Sequence, residues 1–495
     1  MKLTKILEDT EVVAIAGDGG VEVAELTFDS RAVRTGSCFF AIIGERSDGH
    51  DFIPQAVAAG AAAVVCSRMP DQKAHGVTYV QVADTHEALG RMASAFYGHP
   101  SRELHLVGIT GTNGKTTTAT LLCDMFRELG YGTGLISTVE CRVGRRVIES
   151  THTTPDPIRL NSMLREMAGC GCQYCFMEVS SHAAVQRRTA GLHFAGGIFT
   201  NITHDHLDYH KTFAEYIRAK KSFFDSLPPT AFALVNTDDR NGRVMVQNTR
   251  AEVHEMSMRS AADFTCRVLE MHFDGMELQF GRDGVWVQFL GRFNAANLLS
   301  VYAAALLLGA ERQEVLRIMS RLRPVSGRFE YMTSPDGVTA IVDYAHTPDA
   351  LRNVLETVGE ICREGSVTVV CGCGGDRDRT KRPEMARIAV EYASTAIFTS
   401  DNPRSEEPEA ILGEMIAGVT AGERYLKITD RAEAIRTAVV MARPGDIVVV
   451  AGKGHETYQI VGSEKRHFDD REEIAAAFAM RRQRDVSFRA KRSEV

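Results

Sequence analysis

The stretch Leu106–Thr117, LVGITGTNGKTT, decides how the rest of the chain is read. An apolar run breaks into a glycine-rich turn, ends in Lys-Thr-Thr and opens into the helical pattern TATLLCDMFRELG. Strand, tight turn and helix in that order make a phosphate cradle. Gly111 and Gly114 let the backbone of Thr112 and Asn113 turn its N–H groups inward, and the helix aims its positive end at the same point. Lys115 reaches the outer phosphates, Thr116 sets a hydroxyl on a magnesium ion, and Thr117 follows in the first helical turn. The strict P-loop pattern has glycine where this chain has Ile109, so the loop is a shortened variant. An ATP site with Mg2+ is the expectation.

Composition sets the frame around that loop. A chain of 495 residues exceeds one hydrophobic core, so two to four domains are expected. Apolar residues at 44% and charged residues at 24% are those of an ordinary globular protein. A net charge of −7 argues against general nucleic-acid binding, although the tail RRQRDVSFRAKRSEV is locally basic and reads as the end of a helix. MKLTKILEDTEVVAIAG lacks the features of a signal peptide, and no apolar run has the length of a bilayer span. Eleven scattered cysteines, an odd number, read as reduced thiols in a cytoplasmic protein. Cys170-Gly-Cys172-Gln-Tyr-Cys175 and Cys371-Gly-Cys373 lack the paired spacing of a zinc site and are read as packing cysteines.

Three blocks follow, all α/β. Residues 1–103 carry short strand-like runs (VAELTF, CFFAII, AAVVCS) and one alanine-rich helical stretch, IPQAVAAGA, with FYGHPSRELH as a linker. Residues 104–329 alternate apolar strands (HLVGIT, YCFMEV, AGGIFT, FALVN) with helices, which implies a mostly parallel sheet covered on both faces. Within this block, FTCRVLEMHFDGMELQFGRDGVWVQFLG alternates and reads as antiparallel strands. Residues 330–495 alternate strand and helix in a doubly wound, Rossmann-like pattern. The chemically loaded residues of this last block fall in loops after strands: Asp343-Tyr-Ala-His346, Gly374-Gly-Asp-Arg377-Asp, Ser400-Asp-Asn-Pro-Arg404 and Gly452-Lys-Gly-His-Glu456. Ligands bind at that edge of an open α/β sheet.

Two further constellations stand out. Glu178, at the end of YCFMEV, offers a carboxylate suited to a hard cation such as magnesium. Asn201-Ile-Thr-His204-Asp-His206-Leu-Asp-Tyr-His210 packs three histidines and two aspartates into ten residues, and some of these histidines serve only as hydrogen-bonding partners. The helix FAEYIRAKKSFF presents Lys220 and Lys221 side by side, which on their own read as surface lysines.

GTNGKTT, TTPD at Thr153–Asp156, EVSSHAAVQRR, NITHDHLDYH, AKKSFF, GRFNAANLLSVYAA, SGRFE and DYAHTPDAL together resemble the Mur ligases, in order and over nearly the whole chain. The resemblance implies three domains: a small UDP-binding α/β domain (1–103), a central P-loop ATPase domain with a parallel sheet (104–329) and a Rossmann-like amino-acid-binding domain (330–495). Asp401-Asn402-Pro403-Arg404 resembles the signature of the branch that adds meso-diaminopimelate to UDP-N-acetylmuramoyl-L-alanyl-D-glutamate. By the same resemblance Lys220 is the carbamylated lysine, with Lys221 the competing position, and Glu178, His206 and the Lys220 carbamate hold a second magnesium, with Thr116 on the first. Asn294 and Asn297 match adenine contacts, and Arg328 and Asp343 match contacts to the ribose and phosphates. Ser30, Thr153, Thr154, Ser180, Gln186 and Arg188 match contacts to the uridine-linked substrate, while Arg377, Asp401, Asn402, Pro403, Arg404, Gly452 and Glu456 match the diaminopimelate pocket. His204 matches no required position.

The activity implied is amide formation through an acyl phosphate, with Lys115, Lys220, Arg328 and His206 as the catalytic set. Dense positive charge around the γ-phosphate is the physical requirement. Neither nucleic acid nor membrane is an expected partner, and a monomer is implied. A folylpolyglutamate synthase-like ligase shares the phosphate loop but normally lacks a UDP domain, against which Asp29-Ser30-Arg31 and the first hundred residues count. A module that only switches on ATP leaves the loaded loops of the last block without a purpose.

Overall fold

Apolar runs without alternation become strands buried on both faces. The structure, a computed structural model, describes residues 1–44, 47–150, 152–203, 205, 207–362 and 364–493, with the side chains of 207–208 and 483–493 outside the description. Two compact units divide the chain: Met1–Gly111, Leu122–Phe199 and Ile217–Glu255 form one, and Thr112–Leu121, Thr200–Tyr216 and Met256–Val495 the other.

In the first unit, His105–Thr110 runs parallel between Tyr174–Glu178 and Gly196–Phe199, which in turn pairs with Phe232–Asn236. Thr133–Ile136 lies parallel on the far side of Tyr174–Glu178 and continues into the antiparallel pair Glu140–Val143 and Arg146–Glu149. Glu178 stands opposite Ile109, so the glutamate ends its strand at the same sheet edge as Thr110 and Gly111. Ile109 is fully buried within its strand. The position that is glycine in the longer motif is therefore still strand, which accounts for the shortened loop.

The N-terminal block of the same unit is a five-stranded sheet in the order Val12–Ala16, Thr78–Val82, Ala63–Cys66, Ser37–Phe40, Glu25–Thr27, antiparallel only at the first pair. Its core includes a second helix that the sequence reading passed over, Thr85–Phe96. Asp84 caps this helix, accepting from the N–H groups of His86 and Glu87 at 2.8 and 3.2 Å. The segment read as a linker is packed. Pro100–Arg102 form a turn of 3-10 helix, Ser101 Oγ accepts from the His193 N–H at 2.9 Å, and Glu103 meets both Nη atoms of Arg165 at 2.7 Å.

In the second unit a six-stranded sheet runs Glu330–Thr333, Thr339–Asp343, Ile447–Ala451, Val367–Cys371, Thr395–Phe398, Tyr425–Lys427. All its pairs are parallel except the first. The strand that comes late in sequence, Ile447–Ala451, is inserted between two earlier ones, and this change of winding opens a crevice at the carboxyl edge. One apolar cluster draws on the helices Pro348–Ile361, Lys381–Tyr392 and Pro408–Ile416, and another on Arg431–Met441 and the last helix, Asp470–Ser493. The alternating insertion forms the expected antiparallel meander Phe264–His272, Gly275–Phe280, Asp283–Val287. A hairpin, Tyr458–Val461 with Glu464–His467, follows the last sheet strand.

All eleven cysteines are free thiols. Cys172, Cys175, Cys371 and Cys373 are buried as expected, and burial pushes the Cys373 thiol up to about 11. Cys170 departs from the packing role: it ends the helix Pro157–Gly169 and is exposed. Among the described residues no helix is long and apolar enough to cross a membrane.

Candidate active site

Within the second unit, the phosphate loop is held from one side by Asn201. Its carbonyl accepts from the Thr112 N–H at 2.8 Å, its Oδ1 from the Asn113 N–H at 2.9 Å, and its Nδ2 donates to the Asn113 carbonyl at 3.1 Å. Thr200 Oγ1 donates to the same carbonyl at 2.6 Å, and Thr112 Oγ1 accepts from the Thr203 N–H and pairs with the Tyr216 hydroxyl, both at 3.0 Å. The sequence reading noticed this segment for its histidines. The asparagine that clamps the loop carries no signal of its own without the tertiary contact. Asn113 Nδ2 also donates to Asp349 Oδ2 at 3.1 Å, a second contact that sequence reasoning missed.

Gly114 has φ +86°, and a Cβ on it would stand 2.3 Å from Asn297 Oδ1. Asn297 thus seats its carboxamide against the loop, and it donates to Asn294 Oδ1 at 3.3 Å, while Asn294 donates to the Leu290 carbonyl at 2.8 Å. Lys115 Nζ lies on the Thr112 carbonyl at 2.8 Å. Arg328 donates from Nη2 to Thr116 Oγ1 at 3.2 Å, with its guanidinium 4.5 Å above the Tyr344 ring. Asp343 Oδ2 accepts from the Phe329 N–H at 2.7 Å and anchors the turn that carries Arg328. Burial pushes the Asp343 carboxyl up to about 6, against the pull of Arg328. Burial likewise drives His346 down to about 4 and His455 to about 3, so both rings are neutral at pH 7.

In the first unit the lysine doublet separates. Lys220 is 2% exposed and donates from Nζ to the Gly111 carbonyl at 2.7 Å, whereas Lys221 pairs with Asp225 at 2.6 Å, one helical turn on. Glu178 is 1% exposed, and its Oε1 and Oε2 accept from the Thr138 N–H and hydroxyl at 2.7 and 3.1 Å. The residues expected at the uridine-linked substrate join this network. Thr138 Oγ1 pairs with the Thr153 hydroxyl at 3.0 Å, Thr154 Oγ1 donates to the Glu178 carbonyl at 2.8 Å, and the Ser180 N–H donates to Thr154 Oγ1 at 3.1 Å. Arg188 donates to the Thr154 carbonyl at 2.5 Å and holds Gln186 Oε1 through Nε and Nη2 at 3.0 and 2.7 Å. Ser30 instead donates to Gln55 at 3.3 Å, on the N-terminal block.

The loops after Val367–Cys371, Thr395–Phe398 and Ile447–Ala451 lace together at the carboxyl edge of the six-stranded sheet. The Gly375 N–H donates to the Asn402 carbonyl at 2.9 Å, and Arg404 Nη1 donates to the Gly375 carbonyl at 2.8 Å. Asn402 Nδ2 reaches Glu456 Oε2 at 2.8 Å. Gly452, at φ +117°, lets the backbone pass where a Cβ would meet Asp401 Oδ2 at 2.7 Å. Asp401 Oδ1 turns onto the Asn402 N–H at 2.6 Å, and Pro403 is buried between Asn402 and Arg404. Arg404 sits at φ +52°, held by the hairpin: its N–H donates to the Ile460 carbonyl at 3.1 Å and its carbonyl accepts from the Gly462 N–H at 2.8 Å. Arg377 is exposed, with Nη1 on the Asp376 carbonyl at 3.3 Å.

The expectations at His204 and His206 lie outside the described residues. Among the described residues no three His, Cys, Asp or Glu side chains group as a metal site. The hydroxyl of Thr116 and the carboxylate of Glu178 are oxygen donors of the kind magnesium prefers, while Lys220 as an ammonium is not a ligand at all.

Comparison with known proteins gives three successive matches: "Mur ligase family, catalytic domain" over residues 22–97, "Mur ligase middle domain" over 109–305 and "Mur ligase, glutamate ligase domain" over 327–454. The chain belongs to the Mur ligase family. Mur ligases are ADP-forming amide ligases, and this chain is one of them. It is similar to the UDP-N-acetylmuramoyl-L-alanyl-D-glutamate--2,6-diaminopimelate ligase of Phocaeicola vulgatus, at 54% identity over 97% of this Mur ligase and 100% of that protein. The protein of the same description from Bacteroides fragilis is 53% identical, over 97% and 100%. A solved structure of a UDP-N-acetylmuramoyl-L-alanyl-D-glutamate--2,6-diaminopimelate ligase superposes with a TM-score of 0.69 at 30% identity, over 97% of this Mur ligase and 99% of the other chain.

Proposed function

We propose that this Mur ligase uses ATP to join meso-diaminopimelate to the γ-carboxylate of UDP-N-acetylmuramoyl-L-alanyl-D-glutamate, in the synthesis of the peptidoglycan precursor. Full-length identity of 54% and 53% to relatives so described supports the substrate pair. The observation that carries the reading is the convergence of Asn402, Arg404 and Glu456 on one sheet edge, a guanidinium and a carboxylate on laced loops. An amino acid with a distal carboxylate and ammonium asks for that pair of charges, and a guanidinium fork matches a carboxylate in two parallel hydrogen bonds. Arg377, Asp401, Pro403 and Gly452 complete this pocket.

A carboxylate does not form an amide without activation, because oxide is too poor a leaving group. Phosphorylation of the γ-carboxylate gives an acyl phosphate, and the free amine then displaces phosphate. The work of Gly111, Thr112, Asn113, Gly114, Thr116 and Thr117 is to hold the triphosphate, with Asn294 and Asn297 toward adenine and Asp343 toward the ribose. Lys115 and Arg328 offset charge at the γ-phosphate, where two anions must approach. Ser30, Thr153, Thr154, Ser180, Gln186 and Arg188 orient the uridine-linked substrate.

Magnesium, when bound, supplies charge compensation and positioning for the phosphates, and Thr116, Glu178, His206 and a carbamylated Lys220 are the residues that would hold it. Carbamylation would convert the buried amine of Lys220 into an anionic oxygen donor of the kind a hard cation takes. The reading extends to a cytoplasmic monomer whose domains are 1–103, 104–329 and 330–495.

Phosphate release from ATP and the UDP-linked dipeptide, with diaminopimelate, lysine or glutamate as third component, tests the assignment. Strong release only with diaminopimelate is expected. Release with lysine instead would overturn the specificity and leave the ligase intact.

A further inference from the structure

Lys453 lies in the loop after Ile447–Ala451, and its side chain is 0% exposed. A buried ammonium needs acceptors. Its Nζ donates to Glu456 Oε2 at 3.1 Å, to Asn402 Oδ1 at 3.3 Å and to the Tyr458 carbonyl. Asn402 Oδ1 also accepts from the Ile460 N–H at 2.9 Å. Two donors thus fix the oxygen end of that carboxamide, and its NH2 is turned onto Glu456 Oε2 at 2.8 Å. Both Lys453 and Asn402 converge on Oε2, which leaves Oε1 to accept an ammonium from a ligand.

We infer that Lys453 is a positioning and specificity residue of the amine-receiving site: it sets the donor and acceptor pattern of Asn402 and Glu456 and fixes which carboxylate oxygen of Glu456 faces a ligand. The inference rests on the reading of Glu456 as the group that holds the distal ammonium. The charged and titratable groups acting with Glu456 come from three loops: Tyr344 after Thr339–Asp343, Asp401 after Thr395–Phe398, and Lys453 from its own loop, with the His455 ring against Tyr344. Burial and the Asp401 carboxylate push the Glu456 carboxyl up, and Lys453 pulls the other way. His455 is neutral and Tyr344, pushed up by burial, stays a phenol, so Lys453 is the cation opposing Asp401 among these groups. Without it nothing among these groups offsets burial and Asp401, the Glu456 carboxyl is pushed further up, and a protonated acid no longer attracts an ammonium.

The test is steady-state kinetics of the full chain with diaminopimelate varied between about pH 6 and 9, on Lys453→Met, Glu456→Gln and the double variant. Lys453→Met is expected to raise the diaminopimelate KM on the order of tenfold at pH 7, the size of one charge-assisted hydrogen bond, with kcat and the ATP KM nearly unchanged. That KM should fall back as pH rises and Glu456 ionises. Glu456→Gln should raise KM at every pH, and adding Lys453→Met to it should change KM by less than about twofold, because the lysine acts through the glutamate. An unchanged KM in Glu456→Gln would dismiss Glu456 from the amine site. A raised KM there, with a wild-type KM and pH profile in Lys453→Met or full additivity in the double variant, would overturn the role of Lys453 alone. If the methionine variant does not fold, Lys453→Gln, which keeps a donor without charge, is held to the same outcomes.

Discussion

In the proposed reading Arg404 is the side chain that selects the amino acid, and the structure holds its guanidinium and backbone in place. Its guanidinium is tethered through Nη1 to the Gly375 carbonyl at 2.8 Å, so little rotamer freedom remains to be lost on binding. Arg404→Ala is expected to raise the diaminopimelate KM by about tenfold to a hundredfold, the scale of hydrogen bonds to a charged group, while the ATP KM stays where it was. Varying each substrate in turn checks this, and unchanged diaminopimelate kinetics would remove Arg404 from specificity. Lys220 invites a different test. Its amine points at the Gly111 carbonyl, whereas Lys221 is engaged by Asp225. Lys220→Ala should abolish turnover, with partial recovery on adding a short-chain carboxylic acid in place of the carbamate, and Lys221→Ala should remain active. Full activity of the Lys220 variant would end its assignment as a metal ligand.

At the scale of elements, the phosphate loop works because its partners come from elsewhere in the second unit. Gly114→Ala places a Cβ 2.3 Å from Asn297 Oδ1 at a φ of +86°. Backbone strain alone is worth about 1–3 kcal/mol, and the asparagine must move as well. A lower Tm and a raised ATP KM are both expected, measured by thermal unfolding and by phosphate release. The loop itself was legible in LVGITGTNGKTT because strand, glycines, lysine and helix are neighbours in sequence. The six-stranded sheet was legible for the same reason, its apolar runs and helices alternating along the chain. Asn201, Asp349 and Lys453 lie inside stretches that the sequence singles out, but no local pattern assigns any of them a role. Each becomes functional through a contact made across long stretches of chain: Asn113 with Asn201, Asn113 with Asp349, Lys453 with Asn402. The helix Thr85–Phe96 was missed although its cap and buried face are ordinary, and with it the packed character of the segment that follows.

On the scale of the molecule, acid sensitivity follows from two buried imidazoles. His346 and His455 are held near 4 and 3 in the folded chain, against 6.5 without burial. Unfolding therefore takes up protons between those values, and stability is lost as pH falls from about 6.5 through 4. For His346 alone the full window is worth about 3 kcal/mol, at about 1.4 kcal/mol per unit. Asp343 works with the opposite sign: raised from 3.8 to about 6, it favours the folded state at the acid end of its window and costs stability as pH climbs through it. Two histidines outweigh one carboxyl, so Tm should drop between pH 7 and 5, and less steeply in His346→Asn. A Tm rising over that interval would contradict the assignment. A last consequence concerns transplantation. The left-handed backbone of Arg404 is pinned at both ends by residues of the hairpin Tyr458–His467, more than fifty positions downstream. Copying the Asp-Asn-Pro-Arg tetrapeptide into a relative would move the letters without the splint. A donor graft has to carry the hairpin too, or the arginine arrives with nothing to aim it.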